Sequence, residues 1–309
     1  MIHEIIGNKR YNTFDNYLKA RFGCKVAKVS LNCGFGCPNR DGTKGSGGCI
    51  YCSPSASGDF AGNPEMSVTE QFFDIKKGVD AKWHGAKYLP YFQAGTGTYA
   101  PVEKLRCLYY EALSLPDTVG MSIATRPDCI PDDVLSLLAE ISKKTYLTVE
   151  LGLQSIHDKT GRLINRCTDY AEFLDAYRRL TSCGINVCVH LINGLPGETR
   201  ETMLESVETV GKLRPHCVKL HMLHILKNTA AETMYRDGKI KVFELDEYVE
   251  LVCDELELLP YDTVIGRITG DGGRDTLVAP LWSVKKFDVM NGVDREMNRR
   301  GVFQGNKVE

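Results

Sequence analysis

Three cysteines stand close together near the start of the chain, and their number and spacing point to metal chemistry. Eleven residues separate Cys37 from Cys49, and two separate Cys49 from Cys52. The four glycines between the first two cysteines allow this stretch to fold back on itself, because glycine adopts positive φ without strain. Three thiolates directed at one point could hold a metal centre and leave one position open for a small molecule. A structural zinc site completed by Cys33 or a distant histidine is the alternative.

The cysteines follow the apolar run Val26–Leu31, which predicts a strand. In β/α barrels the residues that do chemistry lie beyond the C-terminal ends of the strands. Tyr51 lies within the second cysteine pair, where its ring could shield a metal centre. The position of the loop therefore agrees with a functional site.

Polar residues and glycines also follow the later predicted strands, whose ends meet at the same edge of a parallel sheet. They are Gln93, Gly95 and Thr96 after the second strand, Arg126 after the third, Glu150, Gln154 and Ser155 at the end of the fourth, Arg166 in the next loop, and Gly194 after the fifth. A simple turn is the alternative for Gly95 and Thr96. Arg126 could clamp a carboxylate or pair with Asp128. Arg166 could instead be a solvated loop residue.

Three basic or imidazole side chains are expected to face the interior of the sheet. Strand alternation places His190 on the inner face of the fifth strand, and Lys219 and His221 on that of the sixth. A lysine inside a barrel is unusual unless it is paired or faces a polar cavity. A strand histidine is often a core residue with satisfied hydrogen bonds. We consider these three residues as candidate catalytic groups on the substrate side of the site.

Predicted strands and helices alternate along most of the chain at intervals close to the length of one βα repeat. The strands are Val26–Leu31, Tyr88–Gln93, Gly120–Ala124, Tyr146–Leu151, Asn186–Ile192 and Cys217–Leu223, with helices between them. Such alternation predicts parallel strands joined by right-handed crossovers. We therefore expect an α/β fold: a partial (β/α)6 TIM-type barrel with an N-terminal helix and a C-terminal extension of helices and a strand.

The expected division of the chain has three parts. Residues 1–25 form an N-terminal cap, and residues 26–244 form the partial barrel with the cysteine loop at 32–53. Residues 245–309 form an extension that packs on the barrel. It contains amphipathic helices predicted at Leu245–Leu258 and Val284–Arg300 and a strand predicted at Asp262–Ile268.

Composition sets further bounds on the function. The 309 residues carry a net charge of −2, so no overall basic field announces a nucleic-acid partner. A local patch could still contact phosphates, although charged helices are mostly solvated faces. Its candidates are Arg267, Arg274, Lys285, Lys286, Arg295, Arg299 and Arg300. Twelve cysteines without a disulfide pattern suit a reducing compartment, and the N-terminus shows no apolar signal region, so the expected location is cytoplasmic.

The cysteine motif CPNRDGTKGSGGCIYC resembles that of the radical S-adenosylmethionine (SAM) enzymes, in the branch related to the elongator catalytic subunit. More narrowly, the chain is similar to the YhcC/YtqA-like family. The resemblance extends over nearly the whole chain, through PYFQAGTGTYAPVEKL, IATRPDCIP, VELGLQSIHDKT, HLINGLPGET and KLHMLHILKNT to TGDGGRDTLVAPLWSVKK.

The resemblance implies two cofactors, a [4Fe-4S] cluster held by Cys37, Cys49 and Cys52, and SAM. SAM would bind the fourth iron, the reduced cluster would split its sulfonium, and the resulting 5′-deoxyadenosyl radical would take a hydrogen from the substrate. A reductant such as flavodoxin or ferredoxin would supply the electron.

The resemblance also implies which residues contact SAM. Tyr51 would pack against the adenine, the turn at Gly194 would present its backbone to the adenine, and Gly95 and Thr96 would approach the methionine amino group. Glu150, Gln154 and Ser155 would reach the ribose or the carboxylate, and Arg166 would supply a cation for that carboxylate. The stretch at Gln93 lacks the acid that the family more often has there.

For the substrate, the resemblance implies the wobble uridine of transfer RNA. The YtqA-like group is associated with trimming 5-carboxymethylaminomethyluridine to 5-aminomethyluridine. The chain has no room for the acetyltransferase domain of the elongator subunit, so acetyl chemistry does not follow. A small-molecule or peptide substrate, and a non-enzymatic zinc or iron–sulfur redox sensor, are the alternatives.

Overall fold

The parallel strands expected from the sequence form one curled sheet. The computed structural model describes residues 9–56, 58–270, 272–273 and 275–308. Its strands are Val26–Leu31 (β1), Lys87–Phe92 (β2), Gly120–Thr125 (β3), Tyr146–Gln154 (β4), Asn186–Asn193 (β5), Cys217–Met222 (β6), Ile225–Leu226 (β7), Val264–Arg267 (β8) and Leu277–Ala279 (β9). Strands β1 to β6 and then β8 lie side by side in this order, and every neighbouring pair is parallel. The expected fold class, a partial TIM-type barrel, is confirmed, with a seventh parallel strand added beyond the expected six.

The helices cover the outer face of this sheet. They are Phe14–Phe22 (α1), Val68–Lys82 (α2), Val102–Leu113 (α3), Asp132–Ser142 (α4), Asp158–Leu163 (α5), Tyr170–Ser182 (α6), Arg200–Lys212 (α7), Ala230–Arg236 (α8), Leu245–Leu258 (α9) and Lys286–Arg300 (α10). Side chains that alternate along each strand explain the two layers of the core. On β2, for example, the rings of Tyr88 and Phe92 pack outward against Phe72 and Tyr109, while Tyr91 points into the barrel.

Helix α1 closes the bottom of the barrel. Leu18 packs there with Leu89 and Tyr146, and the whole group is buried. The segment before the helix joins the free edge of β8, where the Ile265 amide donates to the Asn12 carbonyl at 2.7 Å. An apolar floor therefore separates the polar interior from solvent on that side.

The C-terminal helices pack on the outside of the barrel, α9 against α7 and α10 against α9. The buried side chain of Gln304 ties the two ends of the described chain together. It donates to the carbonyls of Pro260 (2.7 Å) and Thr263 (2.8 Å) and accepts from the Asn12 amide (2.8 Å). Among the described residues, no helix is both long and apolar enough to cross a membrane.

Candidate active site

The loop between the first two cysteines folds into a hairpin that its own side chains hold together. The fully buried Asn39 accepts a backbone hydrogen bond from Gly48 (2.8 Å) and donates its amide to the Asn165 carbonyl (2.5 Å). The same amide lies 3.7 Å from the sulfur of Cys49. Asn165 in turn donates to the Gly48 carbonyl at 2.8 Å. These bonds hold the segment between Cys37 and Cys49 against the loop that contains Asn165.

The end of β2 positions the start of the cysteine loop. Gly95 has φ of +69°, and a Cβ atom there would lie 2.1 Å from the Phe35 carbonyl oxygen. The next residue, Thr96, donates its amide to the Gly36 carbonyl at 3.0 Å. Because Cys37 follows directly, only glycine at position 95 allows the barrel to hold the first cysteine this closely.

The cysteine thiols are partly buried and lie near cationic groups. Burial raises the pKa of Cys49, against the opposing effects of a Tyr51 hydrogen bond and the charge of Arg126. Burial also raises the pKa of Cys52 to about 11, although Arg40 counteracts it. Burial likewise raises the pKa of Tyr51 well above its usual range. A metal centre would remove the protons that burial retains on these thiols, because a coordinating thiol is deprotonated.

The three thiols lie near one another, but they do not form a complete set of metal ligands. Each of Cys37, Cys49 and Cys52 interacts electrostatically with at least one of the others. Within the described residues, no three cysteine, histidine or carboxylate side chains lie close enough together to hold a metal ion. Three thiols on one glycine-rich hairpin nevertheless form a soft donor set, which suits iron–sulfur clusters or zinc.

Inside the barrel, a buried carboxylate gathers four polar partners. The Glu150 side chain is 2 % exposed; its Oε1 accepts from Lys28 at 2.5 Å. Its Oε2 accepts from the Tyr91 hydroxyl (2.8 Å), lies 2.9 Å from His190 Nε2, and pairs with the Lys219 ammonium. The two candidates His190 and Lys219, which are register partners on β5 and β6, therefore meet at Glu150 of β4.

These partners shift one another's ionisation. Burial alone would raise the pKa of Glu150, but Lys219, Lys28 and His190 hold it well below its usual range. Burial lowers the pKa of Lys28 and the charge of Lys219 adds to this, while Glu150 opposes it. For Lys219 the attraction of Glu150 outweighs burial and raises the pKa above its usual range. Glu150 is therefore the shared counter-ion of the Lys28 and Lys219 ammonium groups.

His221 lies above this layer, with its ring centroid 5.4 Å from that of His190. Its Nε2 atom is buried and has no hydrogen-bond partner among the described residues. Burial lowers its pKa well below the usual range for histidine, so the ring is neutral at pH 7. A neutral, unpartnered imidazole is available to donate a hydrogen bond to a ligand or accept one from it.

Two cavities meet at these side chains. The inner cavity has a volume of about 380 Å³ and is lined by Lys28, Tyr91, Glu150 and Lys219, with Gly95 and Arg126 near its mouth. The outer cavity has about 240 Å³ and reaches Tyr51 in the cysteine loop. Five residues line both cavities: Phe60, Gln93, His190, His221 and Arg267. The sequence candidates Tyr51, Gln93, Gly95, Arg126, Glu150, His190, Lys219 and His221 thus surround one continuous space.

Arg126 adopts the bracing arrangement that the sequence left open. Its Nε and Nη2 atoms each donate to Asp128 at 2.9 Å, and its Nη1 donates to the Arg166 carbonyl at 2.9 Å. Burial works against its charge, but the hydrogen bonds that it donates to Asp128 raise the pKa of Arg126. It lines the inner cavity while it braces the loop that holds Asn165.

The remaining sequence candidates lie outside the described linings of both cavities. They are Thr96, Gln154, Ser155, Arg166 and Gly194. Ser155 is buried and donates to Glu198. Arg166 is buried and donates to backbone carbonyls, including that of Ser155 at 2.7 Å. Their proposed contacts with a ligand remain predictions.

Glycines make room beside two of these candidates. The Gln154 amide nitrogen lies 2.6 Å from the place where a Gly152 Cβ atom would stand, so glycine at position 152 leaves room for the Gln154 side chain. Gly194 has φ of +83° and lines a separate cavity of about 480 Å³ beside α9.

Two residues that line the inner cavity were not identified from the sequence. Lys28 lies within β1 and Tyr91 within β2, in runs that read as apolar strands. Strand alternation places Tyr91 on the same face of its strand as Leu89. Lys28 is an isolated charge within its apolar run. That isolated lysine was the signal that could have identified the partner of Glu150.

The chain was compared with known proteins. The profile described as the radical SAM superfamily matches residues 31–210, and the radical SAM C-terminal domain matches residues 215–299. The chain belongs to the radical SAM superfamily. It is 48 % identical over 297 residues to the uncharacterized protein YtqA of Bacillus subtilis strain 168, covering 96 % of this chain and 92 % of that protein. It is 39 % identical over 295 residues to YhcC of Escherichia coli K12, covering 95 % and 94 %.

Other members of the superfamily share part of the chain or its fold. The tRNA uridine(34) acetyltransferase of Methanocaldococcus infernus is 27 % identical over 60 % of this chain and 34 % of that protein. The solved structure of the archaeal Methanocaldococcus infernus Elp3 has a TM-score of 0.66 at 17 % identity, covering 90 % of this chain and 64 % of that one. Methylornithine synthase has a TM-score of 0.55 at 13 % identity, covering 94 % and 86 %. Both structures share the partial-barrel fold.

This radical SAM chain is therefore an enzyme of a superfamily whose members use SAM and a [4Fe-4S] cluster. The donor chemistry fits such a cluster, because Cys37, Cys49 and Cys52 lie on one loop and would supply three thiolate ligands. Tyr51, which lies between Cys49 and Cys52, lines the outer cavity together with His190 and His221.

Proposed function

We propose that this radical SAM enzyme acts on the wobble uridine of transfer RNA and trims 5-carboxymethylaminomethyluridine to 5-aminomethyluridine. The observation that carries the proposal is the sequence similarity to a tRNA uridine(34) acetyltransferase over 60 % of this chain, together with the resemblance to the YtqA-like family. The match covers about a third of the acetyltransferase, so acetyl transfer is not part of the proposal.

In this proposal, Cys37, Cys49 and Cys52 hold the cluster in the hairpin that Asn39 and Gly95 position. The bound cluster and SAM supply reductive cleavage of the sulfonium and a radical that abstracts hydrogen. The chain's own groups bind and orient the reactants: Tyr51 and Gln93 line the outer cavity, and Gly95 and Thr96 hold the approach to the first cysteine. Tyr51, Gln93, Gly95, Thr96, Arg126, Glu150, Gln154, Ser155, Arg166 and Gly194 are the proposed SAM-binding residues.

On the substrate side, His190, Lys219 and His221 are the proposed catalytic residues. His190 and His221 line both cavities, so they stand between the cysteine hairpin and the inner charged layer. The neutral His221 is suited to accept or return a proton at a nitrogen of the substituent, because its Nε2 has no partner in the described residues. The electron would come from a reductant such as flavodoxin or ferredoxin.

The proposal is tested by mass spectrometry of nucleosides from the transfer RNA of a strain that lacks this gene. We expect 5-carboxymethylaminomethyluridine to accumulate and 5-aminomethyluridine to fall. A plasmid that carries the wild-type gene should restore the product, and one that carries Cys49→Ala should not. Unchanged wobble nucleosides in the deletion strain would contradict the proposed substrate.

A further inference from the structure

The inner cavity carries more positive than negative charge. Lys28, Lys219, Arg126 and Arg267 line it, and Glu150 is its only acidic residue among the described lining residues. Arg126 is already matched by Asp128 outside the cavity. Lys28 and Lys219 therefore share a single carboxylate.

Both ammonium groups are well removed from water. The Lys219 side chain is 10 % exposed and that of Lys28 is 23 % exposed. The ring of Tyr91 lies between them, with its centroid 4.3 Å from the Lys28 nitrogen and 4.9 Å from the Lys219 nitrogen. Taking an ammonium out of water costs several kcal/mol unless an anion compensates it. One carboxylate cannot fully compensate two such groups.

Glu150 divides its two oxygens between the two lysines. Oε1 serves Lys28, and Oε2 is shared among Lys219, Tyr91 and His190. A second anion beside the two ammonium groups would complete the charge balance of this group.

The space for that anion is built into the strands. A side chain at Gly266 would collide with the Cys217 sulfur, which would lie 2.8 Å from its Cβ atom, and would crowd the Lys219 Cγ atom at 3.0 Å. Glycine at that position therefore leaves room for both side chains. The volume of about 380 Å³ lies at the lower end of the roughly 300–1,000 Å³ typical of small-molecule sites. It suits one modified base with its substituent.

We propose that the inner cavity binds a carboxylate of the substrate beside Lys28 and Lys219, and that Glu150 is the positioning residue that holds the two ammonium groups in place. The identity of this carboxylate as the carboxymethyl group rests on the proposed function. Neither lysine lines the outer cavity that borders the cysteine hairpin. The proposed SAM contacts Gly95 and Arg126 also line the inner cavity, so the second test below separates a substrate carboxylate from the methionine carboxylate of SAM.

The first test uses the wild-type holoenzyme with SAM bound. Its probes are two anticodon stem-loop oligonucleotides, one with 5-carboxymethylaminomethyluridine and one with the uncharged carboxamide analogue. Isothermal titration should show the carboxylate binding about tenfold more tightly or better, as expected for hydrogen bonds to a charged group. Equal affinities, or binding of neither probe, would overturn the proposal.

The second test identifies which residues cause the preference for the carboxylate probe. Lys28→Met and Lys219→Met should each reduce the ratio of carboxylate to carboxamide affinity, whereas Lys219→Arg should retain most of it. Lys212→Met is the matched control, since that exposed side chain on α7 pairs only with Glu208 among the described contacts. An unchanged ratio in Lys28→Met would contradict the proposal. So would a loss confined to SAM affinity, which would assign the cation to the methionine carboxylate.

The two proposals fail in different ways. Unchanged wobble nucleosides in the deletion strain, combined with selective carboxylate binding by the wild type, would refute the tRNA substrate and leave the carboxylate site standing. Altered nucleosides, combined with equal affinity for both probes, would retain the substrate and refute the site.

Discussion

Glu150 illustrates how a residue expected to contact SAM serves a wider role. A glutamate that points into the barrel requires a partner, because an unpaired buried charge is costly. The structure supplies four partners, of which His190 and Lys219 were themselves candidates and Lys28 and Tyr91 were not. The Glu150 carboxylate therefore positions these four side chains even if it does not contact the ribose of SAM.

Glu150→Gln should destabilise the cluster-free chain strongly. Loss of its charge leaves the buried ammonium groups of Lys28 and Lys219 uncompensated, and breaking a buried ion pair costs about 3–5 kcal/mol. The free energy of unfolding in urea measures the effect. The control is Glu208→Gln, which removes an exposed pair with Lys212 and should cost less than about 1 kcal/mol. Similar losses in both variants would show that the inner layer is solvated.

At the scale of elements, the end of β2 and the cysteine hairpin form one unit. Gly95 lets the strand end approach the Phe35 carbonyl, and Thr96 donates to Gly36 directly before Cys37. The sequence suggested a glycine that approaches a cofactor, whereas the closest approach in the structure is to the hairpin backbone. The position of the first cysteine therefore depends on a contact between two elements that are distant in sequence.

Gly95→Ala should lower the iron and labile sulfide bound after anaerobic reconstitution, because the new Cβ atom would displace the hairpin. Gly85→Ala is a matched control, since Gly85 has nearly the same φ, +72°, with open space around it. Both variants should lose about 1–3 kcal/mol of stability from the left-handed backbone. If the two variants bind equal amounts of iron, the contact at Gly95 does not position the hairpin.

The C-terminal helix α10 shows how ion pairs alter the interpretation of a basic cluster. Arg299 donates to Glu296, and Arg300 donates to both Glu296 and Asp254. These pairs favour the alternative of a solvated helix face over a phosphate-binding surface for the two arginines. Arg267 lines the cavities instead, and Arg274 lies outside the described residues.

At the scale of the molecule, the sequence was sufficient to predict the partial barrel. Apolar runs separated by amphipathic helices repeat at the length of a βα unit, and this period determines parallel pairing. The seventh strand could be placed along the chain but not within the sheet, because its pairing with β6 depends on the free edge that remains. The division of the chain at residues 25 and 244 remains a prediction.

The placement of candidate residues was predictable where it follows from local spacing. A motif was sufficient to place the cysteine trio and Tyr51 on one loop, and strand alternation placed His190, Lys219 and His221 at the inner cavity. Their roles remain predictions. Side chains that act through distant partners could not be foreseen. Asn39 is polar like its neighbours in sequence, and only the fold brings it against Asn165 and Cys49.

The account depends most directly on the chemistry at the cysteine hairpin. The measurement is the formation of 5′-deoxyadenosine and methionine from SAM by anaerobically reconstituted protein under strong reductant. The wild type and Cys107→Ala, which alters an exposed cysteine outside the hairpin, should both cleave SAM. Cys49→Ala should lose the iron–sulfur absorbance and the cleavage. A wild-type protein that binds one zinc ion and leaves SAM intact, or cleavage that persists in Cys49→Ala, would contradict the central claim.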